Sequence, residues 1–224
     1  TGELARVLAE VVGTAGQVVA TDVAEGMVDL MRDRLAQLPQ VEVRTCDAAA
    51  TGLPASHVDA VLARMSLMFS PDPVAAVGEA RRVLVPGGRY VAATWAGPMD
   101  NMWMASVGMA AAMNGAWQGS SPMDPGGPFS LSEAKQLVAV LEEAGLAEVE
   151  VVDVPIEVRF SDAEAHFAHV SSMAGPLAVA LSAASDDMRE AVRRTAADTV
   201  ARFLTDDGLV FPGLARLAVG SRPA

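Results

Sequence analysis

The sequence TGELARVLAEVVGTAGQVVATDVAEGM, residues 1–27, predicts a helix, a buried strand and an acidic strand end, in that order. The helix is indicated by apolar residues at the spacing of one helix face, at positions 4, 7, 8, 11 and 12. Glycines within residues 13–16 end it, residues 17–21 form a short apolar strand, and Asp22 follows at the strand's carboxyl end. In open α/β sheets ligands bind outside the carboxyl ends of strands, and an acidic residue about 20 positions after a glycine turn accepts hydrogen bonds from ribose hydroxyls. The spacing from Gly2 to Asp22 therefore predicts half of a nucleotide site.

The same alternation of helix-like and strand-like stretches continues through the first half of the chain. Asp72 is the expected N-cap of a helix whose first residue is Pro73. Pro86-Gly87-Gly88 is expected to end that helix in a tight turn. The predicted helices cover residues 24–37 and 73–84, and the predicted strands cover residues 17–21, 41–45, 58–63 and 89–95. This alternation predicts an α/β fold with a doubly wound, mostly parallel sheet and helices on both faces.

The second half departs from this pattern in two segments. Residues 97–129 are rich in Gly, Pro, Met and Trp, and residues 162–205 predict a helical block that is broken at Gly175-Pro176. The remaining predicted elements are helices at 102–113 and 130–144 and strands at 148–158 and 214–221. We interpret residues 1–224 as a single sheet domain, with cap insertions at 97–129 and 162–205 that cover the carboxyl edge of the sheet.

Composition limits the partners and the compartment. A net charge of −12 with a single lysine, Lys135, argues against a nucleic-acid partner, because phosphate binding requires concentrated positive charge. No apolar stretch is long enough to predict a membrane span. The one cysteine, Cys46, rules out an internal disulfide and a cysteine-rich zinc site. That cysteine content fits a reducing compartment, so we expect a cytoplasmic protein.

Several short motifs occur in a fixed order along residues 1–95. They are Thr1-Gly2, Val19-Ala20-Thr21-Asp22, Met27, Cys46-Asp47-Ala48, Val58-Asp59-Ala60-Val61 and the run ARMSLMFSPDPVAAVGEARRVLVPGGRYVAATW at 63–95. In this order the sequence resembles the class I S-adenosylmethionine-dependent methyltransferases, in their ubiquinone/menaquinone-biosynthesis-like (methyltransferase type 11) small-molecule branch. The resemblance continues less closely through PFSLSEAKQLVAVLEEAGL at 128–146 to the C-terminus. It implies a Rossmann-like fold and methyl transfer from S-adenosylmethionine, with S-adenosylhomocysteine as the product.

The resemblance assigns most cofactor contacts to the ends of strands. It implies that Asp22 accepts both ribose hydroxyls, a geometry that a carboxylate supplies better than a neutral side chain. It also implies that Asp47 accepts the adenine amino group while the Ala48 N–H donates to a ring nitrogen. The other implied cofactor-binding residues are Gly2, Val23, Met27, Arg64 and Met65. The alternatives are a helix cap for Asp22, core packing for Met27 and a surface ion pair for Arg64.

Methyl transfer from a sulfonium is an in-line displacement on an already activated electrophile. Positioning can supply much of the rate, and a base is needed only if the acceptor must lose a proton. His166 and His169 lie in the predicted cap, at a spacing that places them on one helix face. We consider them candidate general bases, with a packing or solvated role as the alternative. No further ligand clusters with them in the sequence, so we expect no metal site.

Aromatic residues flank the two irregular segments. The candidates for the wall of an acceptor pocket are Phe69, Trp95, Asn101, Trp103 and Phe167, with Asn101 as a polar anchor. Plain core packing is the alternative for the aromatic members. The expected partner is a small, apolar or aromatic methyl acceptor, and the sequence leaves open whether the protein is a monomer or a homodimer.

Two other functions remain open at this stage. A nicotinamide-dependent oxidoreductase would share the acidic strand end, but the lone tyrosine, Tyr90, and the lone Lys135 do not form the common Tyr-Lys pair. A methyltransferase-like fold could also serve as a non-catalytic binding protein, because fold does not dictate function. The resemblance further implies that the family's first, central strand and most of its glycine loop precede Thr1. We therefore expect the 224 residues to lack that strand.

Overall fold

The computed structural model describes residues 1–119, 121–173 and 175–224, which form two compact units. Unit 1 comprises Thr1–Ala92, Val138–Glu150 and Ala218–Ala224, and unit 2 comprises Ala93–Leu137 and Val151–Leu217. Both predicted cap segments, 97–129 and 162–205, fall in unit 2, and positions 120 and 174 within them lie outside the described residues. The interpretation of the chain as one sheet domain stays a prediction.

Helices and strands follow one another largely as the sequence predicts. The helices are α1 (Glu3–Val12), α2 (Glu25–Leu35), α3 (Pro73–Val83), α4 (Met102–Met113), α5 (Ala134–Glu143), α6 (Ala163–Ser172), α7 (Pro176–Ala183) and α8 (Asp186–Val200). The strands are β1 (Val18–Asp22), β2 (Val41–Thr45), β3 (Val58–Arg64), β4 (Leu84–Trp95), β5 (Ala147–Phe160), β6 (Leu204–Thr205) and β7 (Gly208–Ser221). The predicted bounds of α4 are confirmed, and Asp72 caps α3 by accepting a hydrogen bond from the Ala75 N–H at 2.9 Å.

The first strands form a two-stranded parallel sheet, in which Val18 pairs with Val41 and Asp22 with Thr45. Parallel strands need cover on their faces, because both faces are apolar. Here α1 and α2 supply the cover with small and branched side chains at helical spacing. The resulting core consists of Ala5, Ala9, Val18, Ala20, Val28, Met31 and Leu35.

The second sheet has the strand order β3-β4-β7-β5, and β6 pairs antiparallel with β7. The Gly87 N–H donates to Arg222 O at 2.9 Å and the Ala96 N–H donates to Leu214 O at 3.0 Å. Because the partner number falls as the residue number in β4 rises, β7 runs antiparallel to β4. Within the described ranges β1 pairs only with β2, and β3 pairs only with β4, so the strands form two separate sheets.

Two predicted boundaries are corrected by this pairing. The Pro86-Gly87-Gly88 turn lies inside β4 rather than before it, because the end of β7 pairs with this segment. Gly87 keeps the left-handed backbone expected of a turn, with φ at 77°. The last strand begins at Gly208 rather than at residue 214, because the short β6 folds back onto its start. Neither pairing leaves a local mark in the sequence.

Unit 2 is built on α4, which is apolar on almost every side and buried along most of its length. A helix that is apolar all round has to be surrounded by other elements. In unit 2 it packs against α6 and α8, and the core around it includes Met102, Trp103, Val107, Phe129, Val192, Val200 and Phe211. None of the described helices combines the length and the apolar character that crossing a bilayer requires.

Replacing Gly88 with alanine is expected to destabilise unit 1 by about 1–3 kcal/mol, because an overpacked site has to shift its neighbours. A Cβ at Gly88 would lie 2.8 Å from the carbonyl oxygen of Val85 and 3.0 Å from that of Asp59, and both are backbone atoms. Chemical denaturation followed by circular dichroism measures the loss.

The matched control is Gly78→Ala in α3, where a Cβ meets nothing within 4 Å. This variant is expected to gain about 0.5–1 kcal/mol, because alanine is the better helix former. If Gly88→Ala unfolds at the same denaturant concentration as the unmodified chain, the packing of β4 described above is wrong.

Candidate active site

Two carboxylates lie side by side at the carboxyl ends of the first sheet. The register of β1 on β2 sets Asp22 opposite Thr45, and the Cys46 N–H donates to Asp22 O at 3.1 Å. Asp47 therefore follows two positions beyond the partner of Asp22. The parallel pairing brings these two predicted cofactor residues together.

Each of these carboxylates uses one oxygen to hold its own loop. Oδ1 of Asp22 accepts from the Ala24 N–H at 2.9 Å, and Oδ1 of Asp47 accepts from the Ala49 N–H at 2.8 Å. Oδ2 of both residues makes no hydrogen bond within the described part of the chain. The capping role therefore leaves one carboxylate oxygen free on each residue for a ligand donor.

The neighbours of the two carboxylates are mostly open to solvent. Val23 is 72% exposed, Ala48 is exposed and Met27 is half-buried in the first turn of α2. Burial raises the pKa of the Cys46 thiol, against the opposing effect of its hydrogen bond to Thr21. A raised thiol pKa reduces the thiolate fraction, which is the nucleophilic form. Cys46 is thus a filler beside the carboxylates rather than a reactive group.

Gly2 does not lie beside Asp22. It precedes α1 with φ at 88°, and a Cβ on it would lie 3.2 Å from Cδ1 of Leu35, the last residue of α2. Asp22 lies at the other end of the same helix, shortly before its first residue, Glu25. A helix of 11 residues is about 16 Å long at 1.5 Å per residue, so the two sites are separated by roughly that length.

The Arg64 side chain reaches the start of α1 rather than the carboxylates, and Met65 follows it in the chain. The Arg64 guanidinium lies 4.0 Å from Oε2 of Glu3, the first residue of α1, and both side chains are exposed. Met65 has φ at 52°, a left-handed conformation that is uncommon outside glycine and concentrates at functional sites. Phe69, four residues further on, is 51% exposed. The predicted cofactor residues therefore form two groups in unit 1, and their joint role stays a prediction.

In unit 2 the predicted pocket residues lie around the start of α4. The rings of Trp95 and Trp103 meet edge to face, with centroids 5.4 Å apart and planes at 75°. Trp103 is 5% exposed, and within the described residues its Nε1 has no hydrogen-bond partner. Phe167 is half-buried and packs against the same core.

Asn101 is fully buried, and its amide is already bonded to backbone. Oδ1 accepts from the Leu214 N–H at 3.1 Å, and Nδ2 donates to Leu214 O at 2.9 Å. The same Nδ2 lies 3.3 Å from the carbonyl oxygens of Ala96 and Gly97. Because these contacts use the amide hydrogens, Asn101 joins β7 to the start of α4 and has no free donor for a substrate.

His166 is buried inside unit 2. Its Nε2 lies 2.6 Å from Trp103 O and 3.4 Å from Ser106 Oγ, and its ring stacks on Phe211 with centroids 5.1 Å apart. A carbonyl oxygen only accepts, so Nε2 carries the proton. Burial lowers the pKa of His166 below its ordinary value of 6.5, the positive charge of His169 lowers it further, and the bond to Trp103 opposes both.

His169, in the same helix, is exposed and lies with its ring 5.5 Å from Phe160. The roles of the two histidines as general bases stay predictions. Among the described residues, no group of three or more His, Cys, Asp or Glu side chains is arranged to hold a metal ion.

Sequence reasoning did not foresee the contacts of Ser106, Phe211 and Leu214, because each is made across a long stretch of chain. It also missed a cavity of about 270 Å³ lined by Val18 and Val41. These residues begin β1 and β2, so the cavity lies at the opposite end of the sheet from the two carboxylates.

Solved structures share this fold over most of the chain. A SAM-dependent methyltransferase from Aquifex aeolicus is 22% identical, with a TM-score of 0.51 over 68% of this chain and 71% of that one. Geranyl diphosphate C-methyltransferase from Streptomyces coelicolor A3(2), solved with S-adenosyl-L-homocysteine, is 15% identical, with a TM-score of 0.52 over 99% and 67%. The cyclase SpnF is 20% identical, with a TM-score of 0.56 over 100% and 71%. Identities this low show the fold alone.

The sequence supplies the second comparison. A family model described as a methyltransferase domain matches residues 1–92. The match covers about two fifths of the chain and contains both strand-end carboxylates. Two of the structural neighbours, this geranyl diphosphate C-methyltransferase and a phosphoethanolamine N-methyltransferase from Haemonchus contortus, were solved with S-adenosylhomocysteine. The doubly wound, Rossmann-like fold implied by the sequence is confirmed.

A curated relative is similar over a stretch of the same length. The ubiquinone/menaquinone biosynthesis C-methyltransferase UbiE of Cupriavidus taiwanensis is 39% identical over 92 residues, which are 41% of this chain and 38% of the relative. The match therefore spans less than two fifths of that protein. The family-model match, residues 1–92, contains β1, β2 and the two carboxylates, and all of unit 2 lies outside it.

Replacing Asn101 with alanine is expected to destabilise unit 2 by about 1–3 kcal/mol, because the Leu214 N–H loses its acceptor while Leu214 O keeps only the Ala96 N–H. The matched control is Asn114→Ala at the end of α4, where the amide is partly buried and bonds to Ala110 O and Thr195 Oγ1. In urea denaturation, the free energy of unfolding should fall more for Asn101→Ala than for Asn114→Ala. Equal losses would contradict the role given to Asn101.

The free energy of unfolding of unit 2 is expected to fall as the pH is lowered through 6.5. His166 has a lowered pKa in the folded chain, so the unfolded chain binds the proton more readily and is favoured at low pH. Full stability is present above the unfolded pKa and is lost below it. Urea midpoints between about pH 7.5 and 5 measure this slope.

Two variants test whether protonation of the His166 ring causes this pH dependence of the urea midpoint. His166→Gln keeps an amide donor for Trp103 O but does not titrate, so its urea midpoint should depend less on pH. His169→Gln removes an exposed ring and should keep most of the slope. The assignment fails if the two variants behave in the opposite way.

Proposed function

We propose that this chain binds S-adenosylmethionine and transfers its methyl group to a small, apolar or aromatic molecule. The observation that carries the proposal is the pair Asp22 and Asp47, adjacent at the ends of paired parallel strands, each with one free carboxylate oxygen. Both lie within residues 1–92, which match the methyltransferase family. Ligands of doubly wound sheets bind at such strand ends.

The two groups of residues in unit 1 receive the two ends of the cofactor in this proposal. Asp22 accepts the ribose hydroxyls through charge-assisted hydrogen bonds, and Asp47 accepts the adenine amino group beside the Ala48 N–H. Val23 and Met27 supply apolar contact with the adenine. Gly2, Arg64 and Met65 are assigned to the methionine end.

The reaction asks little of the protein beyond placement. Bound S-adenosylmethionine supplies an activated methyl group, and the chain has to hold the acceptor in line with it and exclude water. A base is needed only for an acceptor that loses a proton. His169 remains the more accessible candidate, because the Nε2 proton of His166 is already donated to Trp103 O.

The acceptor class rests on the pocket residues and on the named relatives. UbiE is named for quinone biosynthesis and another neighbour for geranyl diphosphate, and both names point to apolar carbon skeletons. Trp95, Trp103, Phe167 and Phe69 offer aromatic surface of the same character. The net charge of −12 disfavours a nucleic-acid acceptor. A cytoplasmic location, suggested by the single cysteine, and a monomeric or homodimeric state complete the proposal.

Asp22→Asn is expected to weaken binding of S-adenosylhomocysteine by about 10- to 100-fold, because a hydrogen bond to a charged group contributes ~1.5–3 kcal/mol. Calorimetric titration of the unmodified chain and the variant measures the ratio. The matched control is Asp33→Asn on the exposed side of α2, which should bind as the unmodified chain does.

Thermal unfolding with different ligands distinguishes methyl transfer from the two rival functions. Thermal unfolding should shift upward with S-adenosylhomocysteine and stay in place with NAD. A shift with NAD alone would favour an oxidoreductase. Binding without methyl transfer to any member of an aromatic and prenyl acceptor panel, followed by mass spectrometry, would favour a non-catalytic role.

A further inference from the structure

Glu79 is a nearly buried carboxylate on α3, with a side chain that is only 10% exposed. Removing a carboxylate from water is unfavourable, and a buried ion pair adds little net stability compared with apolar residues of similar size. The helix already has an apolar face that packs into the core, formed by Ala76, Val77, Ala80 and Val83. The buried charge of Glu79 therefore calls for an explanation other than the stability of α3.

Both carboxylate oxygens of Glu79 accept hydrogen bonds. Oε2 accepts from Nε of Arg82 at 2.6 Å, and Oε1 accepts from Nη2 of the same guanidinium at 2.8 Å. Oε1 also accepts from the Thr51 N–H at 2.9 Å and from the Thr51 hydroxyl at 2.5 Å. The hydrogen bond from Arg82 lowers the pKa of Glu79 to about 2 against the opposing effect of burial, and the bonds from Thr51 lower it further. Glu79 is therefore ionised at neutral pH and holds Thr51 with two charge-assisted hydrogen bonds.

Thr51 directly follows the turn that carries Asp47. Asp47 and Ala50 form an isolated bridge, in which the Ala50 N–H donates to Asp47 O at 3.0 Å. Two positions beyond Thr51, Leu53 O accepts from Nη2 of Arg82 at 2.6 Å. One end of the turn thus continues from β2, and the other end is tied to α3 by Glu79 and Arg82.

This attachment restrains the position of Asp47. A polar group selects among ligands only when rigid elements hold it within about 0.5 Å of its productive position. The helix α3 is such an element, because Asp72 caps its first turn and its apolar face is buried. Glu79 and the turn both belong to unit 1. The contact between Glu79 and Thr51 therefore links a rigid helix to one of the two strand-end carboxylates.

We propose that Glu79 is a positioning residue of the adenine site: by holding Thr51 it fixes the turn that presents Asp47, and so sets the preference for a purine with a 6-amino group. The inference rests on the proposed binding of S-adenosylmethionine and adds to it a residue that has no assigned contact with the cofactor. The free Oδ2 of Asp47 accepts from the amino group while the turn keeps this shape. A hypoxanthine base carries an oxygen at that position, leaves the carboxylate unpaired and is bound less tightly.

The ratio of two dissociation constants tests this role. The probes are S-adenosylhomocysteine and S-inosylhomocysteine, which differ in the purine base. The unmodified chain is expected to bind S-adenosylhomocysteine at least about tenfold more tightly. In Glu79→Leu the affinity for S-adenosylhomocysteine should fall about tenfold and that for S-inosylhomocysteine less than about twofold, because only the adenine base depends on a well-placed Asp47. Calorimetric titration measures both constants.

Two further variants separate positioning from support of the fold. Glu79→Gln keeps a side-chain oxygen for Thr51 and should retain most of the preference for adenine. The matched control is Glu190→Leu, which removes the carboxylate of an exposed pair with Arg193 at the same helical spacing on α8 and should bind both probes as the unmodified chain does. Equal weakening of both probes in Glu79→Leu means that Glu79 only supports the fold, and overturns the proposal.

Hydrogen exchange of the Thr51 amide tests the same coupling in the unmodified chain, whether or not Glu79→Leu folds. Coupling free energies are reciprocal, so if the bonds between Glu79 and Thr51 favour adenine binding, adenine binding favours these bonds by the same factor. Saturating S-adenosylhomocysteine is therefore expected to slow this exchange about tenfold, and saturating S-inosylhomocysteine less than about twofold. An exchange rate of Thr51 that stays the same with S-adenosylhomocysteine bound overturns the proposal.

These outcomes distinguish failure of this inference from failure of the proposed function. If the unmodified chain binds neither probe, the proposed function is wrong and Glu79 has no ligand to position. If the chain binds S-adenosylhomocysteine but Glu79→Leu keeps the full preference for it, the proposed function stands and the positioning role is wrong.

Discussion

The parallel pairing of β1 with β2 is the constraint on which the candidate cofactor site depends. Ladder hydrogen bonds fix Asp22 opposite Thr45, and this register carries Asp47 to a position just beyond it. A slip of one residue would turn the side chains of a strand to the opposite face and separate the two carboxylates. The apolar core between these strands and their helices holds that register. The packing of this apolar core thus sets the distance between the Asp22 and Asp47 carboxylates.

Local signals predicted the elements well, because their causes lie within a few residues. Asp72 and Pro73 mark the start of α3 through capping chemistry and a fixed φ, and α4 is marked by an unbroken apolar run. Asp22 and Asp47 could be chosen because each follows an apolar strand directly. These predictions needed only the periodicity of side chains and the preferences of helix ends.

The parts that sequence reasoning missed depend on distant pairings. Asn101 bonds to Leu214 across 113 positions and His166 meets Trp103 across 63. Nothing in the neighbourhood of either residue in the sequence indicates such a partner, so Asn101 was interpreted as a substrate anchor. Which helix end lies beside Gly2 depends on how α1 packs against α2, and a glycine motif alone does not encode it.

The division of the chain into units has a consequence for its assembly. Unit 1 is built from three sequence segments and unit 2 from two, so the backbone passes from one unit to the other four times, after residues 92, 137, 150 and 217. No single cut in the gene releases either unit whole. During synthesis unit 1 cannot be completed until its last segment, Ala218–Ala224, has left the ribosome. Closing such long loops raises the entropic barrier to folding. Until the last segment is synthesised, the incomplete chain exposes apolar surface. We expect this connectivity to slow the folding of the chain.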